Sequence, residues 1–455
     1  MSSARHDKTR NIVLVSRNLI AEGLRVARAI KQLGDVRLLG VCEHLPDDDA
    51  RQVFNDLVRV DDASDSDQLI AAARAFAGKL GGLDQVVTTT ETLLEPVARA
   101  NEALGLQGIS LSAVRRVLDK SSLKSILGRA GIHVARDRVL TGNEDVRHFV
   151  AEVGFPIVLK PLRGSGGLAT WCIRNAEQLG LALELMQPTT ESALLAEEYL
   201  RGQELCIDTI TVANEPRFYS ICCYRPSILE ALENPRIQWS CVLPRDITCA
   251  RYHDFIGQGL TAVRSLSVGN AMTHMEGFLL QEGGLSFTDA TLRPAGARIG
   301  PMLAYAYDID PYLTWARVAV DGCFDGPWER NYAVGTVFLR GAGSGLVEHV
   351  QGVEFMRQLF SDLVVEARLP RVGTKKSATY TGDGYVTIRH PETRVVEDAL
   401  QLIAQTVHIT YSEPELPVSS FGVIREQWAR RIQYYDQGLS RPVWDVEPLT
   451  SLNDA

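Results

Sequence analysis

Asp289, Thr291 and Arg293 stand at alternate positions in "FTDATLRPAG" (287–296). On a β-strand, residues two apart share a face, so two oxygen donors and a guanidinium would project together. Such a row is either a wetted sheet face or one wall of a site that holds charge. Just upstream, "AMTHMEGFLL" and "LSFTDATL" read as two strands of a hairpin. A four-residue loop at "QEGG" pairs Leu280 with Leu285 and brings Glu276 opposite Asp289. Facing carboxylates repel unless something lies between them. A hard divalent cation, Mg²⁺ or Mn²⁺ in its place, suits oxygen ligands of this kind. A loop of another length would instead move one acid to the opposite face.

Two earlier stretches carry complementary chemistry. "IVLKPLRGSGGLAT" (157–170) ends an apolar strand on Lys160 and continues into a loop with Gly164, Ser165, Gly166 and Gly167. Glycines let backbone N–H groups approach phosphate oxygens, and the lysine adds a full positive charge. No G-K-[ST] follows, so this is not a P-loop, and an ordinary glycine turn is the competing reading. In "LLAEEYLRGQELCID" (194–208), backbone groups near Glu197, Glu198 and Leu200 could bond an adenine edge. Glu204 could accept from ribose hydroxyls, and a hairpin with solvated acids is the alternative.

These residues need elements to position them. The first hundred residues alternate strand and helix ("NIVLVS", "LIAEGLRVARAIKQLG", "VRLLGV", "DQVVTTT", "LLEPVARANEALG"), which predicts a parallel sheet flanked by helices. No G-x-G-x-x-G follows the first strand, which argues against a dinucleotide module. Residues 112 to about 155 read as helical, and 155 to about 300 as strands and hairpins. The stretch from 331 to about 411 mixes both, and "REQWARRIQYY" in the tail reads as helical.

At 455 residues, with 45% hydrophobic and 23% charged content, the chain should form two to four globular domains. A formal net charge of −9 argues against nucleic acid as partner. No apolar run approaches the roughly 20 residues of a membrane span. Eight cysteines without a C-x-x-C suit reduced thiols in a cytoplasmic protein.

In their order and spacing these motifs resemble the ATP-grasp superfamily, and within it the carboxylate–amine ligases that join amino acids. The resemblance runs from "VVTTTETLLEPVARANEALGL" to near residue 411. It implies a multidomain α/β and α+β fold. The expected segments are an N-terminal α/β domain over 1–111, a helical linker and lid over 112–192, a large metal-binding part over 193–330, an α+β part over 331–411, and a tail over 412–455. It also implies phosphate contacts from Lys120 in "LDKSSLK", from Lys160 and from the loop 164–167. The adenine hinge falls on Glu197, Glu198 and Leu200, and the ribose acid on Glu204. The metal carboxylates fall on Glu276 and Asp289 with Thr291 beside them, and Arg293 becomes the arginine that steadies an acyl phosphate. His274 completes an H-x-E with no role assigned. The family's E-x-N-x-R here reads Asp289-Ala-Thr291-Leu-Arg293, which leaves one or two metal ions open.

The activity implied is ATP-dependent amide formation between amino-acid-like carboxylate and amine substrates, with Mg²⁺ and without nucleic-acid or membrane partners. A homodimer is compatible with it. The alternatives are a catalytically impaired ATP-binding regulator, or another ATP-grasp reaction such as carboxylation, thioester formation or kinase-type transfer.

Overall fold

The computed structural model describes residues 9–414 apart from 20, 48–50, 163–168 and 378, and the strands among them form four sheets. The first is parallel, in the order Asp56–Arg59, Val36–His44, Arg10–Asn18, Gln85–Val87. Its central residues divide by parity. Ile12 and Leu14 enter one core with the helix Ala21–Lys31, while Val13 and Val15 enter another with Ser66–Leu80 and Leu94–Leu104. Burial on both faces is why these strands read as continuous apolar runs. Asp56–Arg59 escapes a sequence reading because it is four residues long and none is buried.

A second, antiparallel sheet has the order Asp137–Leu140, Leu194–Glu198, Ile157–Pro161, Trp171–Ile173. Ile157, Leu159, Trp171, Leu194 and Ala196 bury one face under the helices Asn143–Val153 and Ala176–Met186. The alternate residues Val158, Lys160 and Glu197 are left for the opposite face, which lines a cleft. Leu194–Glu198 is paired on both sides within this sheet, so the boundary expected at 193 cuts through the lid. The break between the sheets falls at 199–201 instead.

The third sheet has eight antiparallel strands: Leu285–Thr291, Ala271–Leu280, Gly202–Val212, Glu215–Arg225, Trp239–Leu243, Ala333–Leu339, Gly384–His390 and Val364–Arg368. Trp239–Leu243 pairs directly with Ala333–Leu339, so the segments expected to part at 330 share one sheet. Leu205 and Ile207 pack toward the helices Leu111–Leu118, Lys120–Arg129 and Ala250–Leu266. The last is a 17-residue helix within a section expected to be strands. Cys206, Cys222 and Tyr224 face the other way, toward Ile299–Tyr307. A two-stranded sheet, Ser344–Gln351 with His408–Glu413, completes the set. No helix among the described residues is long and apolar enough to cross a membrane. The helical reading of "REQWARRIQYY" lies outside them.

The hairpin of Ala271–Leu280 and Leu285–Thr291 corrects one expectation in an instructive way. Leu279, not Leu280, pairs with Leu285, so the loop has five residues, 280–284. Gly283 and Gly284 take positive φ there, 93° and 82°, at no steric cost. A bulge between Glu276 and Gly277 then inserts one extra residue, Thr288, on the second strand. Its hydroxyl donates to the Glu276 carbonyl at 3.2 Å. The two irregularities cancel, and Glu276 does face Asp289. Gly277 is required at the bulge, since a Cβ there would lie 2.6 Å from the Ser286 carbonyl oxygen.

Candidate active site

The cleft between the lid sheet and the eight-stranded sheet gathers Lys120, Lys160, Glu197, Glu198, Leu200, Glu204, Glu276, Asp289, Thr291 and Arg293 along its walls. Gly164, Ser165, Gly166 and Gly167 lie outside the described residues. Ala169, just after them, is buried and holds a φ of 53°, a left-handed conformation that a glycine would adopt without cost.

Lysines organise one side. Lys120 opens its helix, with Asp119 capping the Ser122 amide, and Lys124 follows one turn later on the same face. Lys120 Nζ lies 2.8 Å from Asp289 Oδ1, and Lys160 Nζ lies 2.9 Å from Asp289 Oδ2. Lys160 also pairs with Glu197 Oε2 at 2.8 Å, and Lys124 with Glu197 Oε1 at 2.7 Å. Burial alone would raise the carboxyls of Asp289 and Glu197. The lysines outweigh it and hold both below the usual range. For Lys160, burial would lower the ammonium, but Asp289 and Glu197 raise it. The result is a chain of alternating charge.

This changes the picture of the hinge. The Glu197 carboxylate neutralises lysines. Glu198 accepts from the Arg136 amide at 2.8 Å and its guanidinium at 2.7 Å. What this segment can offer a ligand is therefore backbone, through Glu198 to Leu200. Glu204 is buried and accepts from the Ile228 amide at 2.6 Å. Burial, and then Glu276 nearby, push its carboxyl well above the ordinary value.

Glu276 is held differently. Its Oε1 lies 3.3 Å from both Tyr224 Oη and His274 Nε2, and no contact to Oε2 is found among the described residues. Thr291 Oγ1 is buried without a hydrogen-bond partner among the described residues. An open carboxylate oxygen, a facing carboxylate and an orphaned hydroxyl fit a hard divalent cation, provided the lysines yield Asp289. At one end of the cleft, Glu91 from the short helix Glu91–Leu93 grips Arg293, 2.8 Å to Nη2 and 3.1 Å to Nε. The Tyr380 ring also lines the cleft and stacks edge-on against Trp239 at 4.9 Å. Sequence reasoning missed Glu91, Lys124, Tyr224 and Tyr380. Only the pair of lysines in "LDKSSLK", four residues apart, offered a usable signal.

Residues 35–108 match the family described as the ATP-grasp N-terminal domain, and 119–206 match the carbamoyl-phosphate synthase L chain ATP-binding domain. Over these two stretches the chain is similar to the ATP-grasp family. Its fold resembles that of an L-amino acid ligase from Bacillus licheniformis, with TM-score 0.69 and 17% identity over 90% of this chain and 100% of that one. It is 24% identical over 250 residues to an L-arginine-specific L-amino acid ligase of Bacillus subtilis, covering 53% of this chain and 59% of the relative. It is 27% identical over 148 residues to an alanine–anticapsin ligase of the same organism, 30% of each chain. The matched stretches thus span between 30% and 59% of the length of these curated relatives.

Proposed function

We propose that this protein is an ATP-grasp carboxylate–amine ligase: it uses ATP to phosphorylate a substrate carboxylate, then lets an amine displace the phosphate, forming an amide bond between amino-acid-like molecules. The observation that carries the proposal is the convergence of Lys120 and Lys160 on Asp289, directly opposite Glu276. Few reactions other than phosphoryl transfer need so many cations around a metal-type carboxylate pair.

In this reading Lys120 and Lys160 move from Asp289 to phosphate oxygens, and Glu197 keeps Lys160 and Lys124 in place as they do. Backbone groups from Glu198 to Leu200 hold the adenine, and Glu204 holds the ribose. Glu276, Asp289 and Thr291 hold Mg²⁺, which when bound neutralises charge between the transferred phosphoryl group and ADP. Arg293, oriented by Glu91, steadies the oxyanion formed when the amine attacks the acyl carbon. The amine nitrogen forms the new bond, the acyl–phosphate bond breaks, and inorganic phosphate leaves. The resemblance to amino-acid ligases supports the choice of substrate class.

The test is incubation with ATP, Mg²⁺ and paired amino acids, reading ADP by coupled assay and products by mass spectrometry. ADP release with an amide product is expected. Hydroxylamine should divert the acyl phosphate to a hydroxamate. ADP release that yields only a phosphorylated or carboxylated substrate would replace this reading with another ATP-grasp reaction. No release with any pair would favour a nucleotide-binding regulator.

A further inference from the structure

Beneath Glu276 lies a buried array that the ligase reading does not use. The register of Gly202–Val212 against Ala271–Leu280 sets Asp208 opposite His274 and Cys206 opposite Glu276. Asp208 Oδ1 lies 2.8 Å from His274 Nδ1, and Cys206 Sγ donates to Asp208 Oδ2 at 3.5 Å. The other ring nitrogen of His274 reaches Glu276 Oε1, the oxygen that Tyr224 also contacts. Asp208, His274 and Cys206 are all buried.

We propose that Asp208, acting through His274, and Tyr224 are positioning residues for Glu276. Two contacts on one carboxylate oxygen stop the side chain from rotating and leave the second oxygen for a ligand. A ligand atom locked in this way costs less ordering on binding, as for the outer-shell partners of metal carboxylates. His274 cannot do this alone, because its ring would turn about χ2 without Asp208 on the far nitrogen. Cys206, Asp208 and His274 also lie close enough to share a metal ion. Yet each oxygen of Asp208 already has a partner among them, so the trio is complete as a hydrogen-bonded support. The inference rests on Glu276 being a metal carboxylate.

The test measures ADP affinity by calorimetry, with Mg²⁺ and with EDTA, for wild type, Asp208→Asn and Tyr224→Phe. No carboxylate or amine substrate is present, so the identity of the ligation reaction does not enter. Asp208→Asn should weaken Mg²⁺-dependent binding by about tenfold and leave binding in EDTA unchanged. Tyr224→Phe should act in the same direction by a smaller factor. Wild-type affinity for ADP with Mg²⁺ in a folded Asp208→Asn chain would overturn the proposal. So would equal losses with Mg²⁺ and EDTA, which signal collapse of the whole site. If Asp208→Asn does not fold, Tyr224→Phe decides, since it removes only a hydroxyl; an unchanged Mg²⁺-dependent affinity then overturns it. Stoichiometric zinc in the wild type that Asp208→Asn loses would make Asp208 a ligand and overturn it as well. A wild type that binds ADP equally with Mg²⁺ and EDTA refutes the metal reading of Glu276 itself, a separate result.

Discussion

Glu276 and Asp289 face each other across one hairpin, but their surroundings differ in kind. Asp289 has an ammonium on each oxygen, delivered by two different elements, the helix Lys120–Arg129 and the strand Ile157–Pro161. Among the described residues Glu276 has contacts on one oxygen only, from His274 on its own strand and from Tyr224 on Glu215–Arg225 of the same sheet. In the proposed reading the partners of Asp289 are exchangeable, because phosphate oxygens would draw both lysines away from it. The partners of Glu276 stay with it. One carboxylate is held by charge from two other elements, and the other by contacts within its own sheet.

The largest effect expected from this difference separates Lys160 from Glu276. Lys160→Ala should abolish ATP turnover and also destabilise the nucleotide-free chain, because Glu197 and Asp289 both lose a buried partner. Breaking a buried pair costs about 3–5 kcal/mol, which a thermal melt resolves readily. Glu276→Gln should abolish turnover equally while leaving the melting temperature near that of wild type, since an amide oxygen still accepts from Tyr224. Equal stability losses in the two variants would erase the distinction between the two sides.

A smaller effect concerns order of binding. While two ammoniums occupy Asp289, a divalent cation meets only one open carboxylate and repulsion from both lysines. Mn²⁺ added to the nucleotide-free protein should keep its free-ion EPR signal. With ADP present, the signal should fall beyond its loss to ADP alone. Signal loss with protein alone would mean that the lysines do not guard Asp289.

Much of this was legible in the sequence, unevenly and for identifiable reasons. The Glu276–Asp289 pairing emerges from residue counting, although a longer loop and a bulge at Thr288 had to offset each other. Lys160 is legible because it ends an apolar strand just before a glycine-containing loop, a weak signal that gains weight only beside the other motifs. Glu197 was legible as a site residue, but burial gave its carboxylate a different task from the expected hinge contact. Asp208 left a signal that went unused: Glu204, Cys206 and Asp208 alternate along one strand, a polar row like Asp289 and Thr291. Glu91 and Tyr380 left none. They reach the cleft from segments some 200 residues before Arg293 and 87 after it, and only the packing of the domains brings them there.

The smallest effect is at Thr291, which lies opposite His274 on the same hairpin. Its hydroxyl is buried without a partner among the described residues, and such a group costs roughly 1–3 kcal/mol. Thr291→Val keeps the branched shape and removes the cost. The nucleotide-free variant should therefore melt no lower than wild type, and somewhat higher if the hydroxyl is orphaned in solution as well. In the proposed reading the same change removes a neutral metal ligand, so Mg²⁺-dependent ADP affinity should drop roughly 2–10-fold, the range one neutral polar contact commands. Thr291→Asn supplies a carbonyl oxygen in its place and should retain the wild-type Mg²⁺ dependence. The two readouts move in opposite directions only if the hydroxyl waits for a ligand. If Thr291→Val melts lower and binds ADP with Mg²⁺ as tightly as wild type, the hydroxyl serves the fold, and the donor set for the metal shrinks to the two carboxylates.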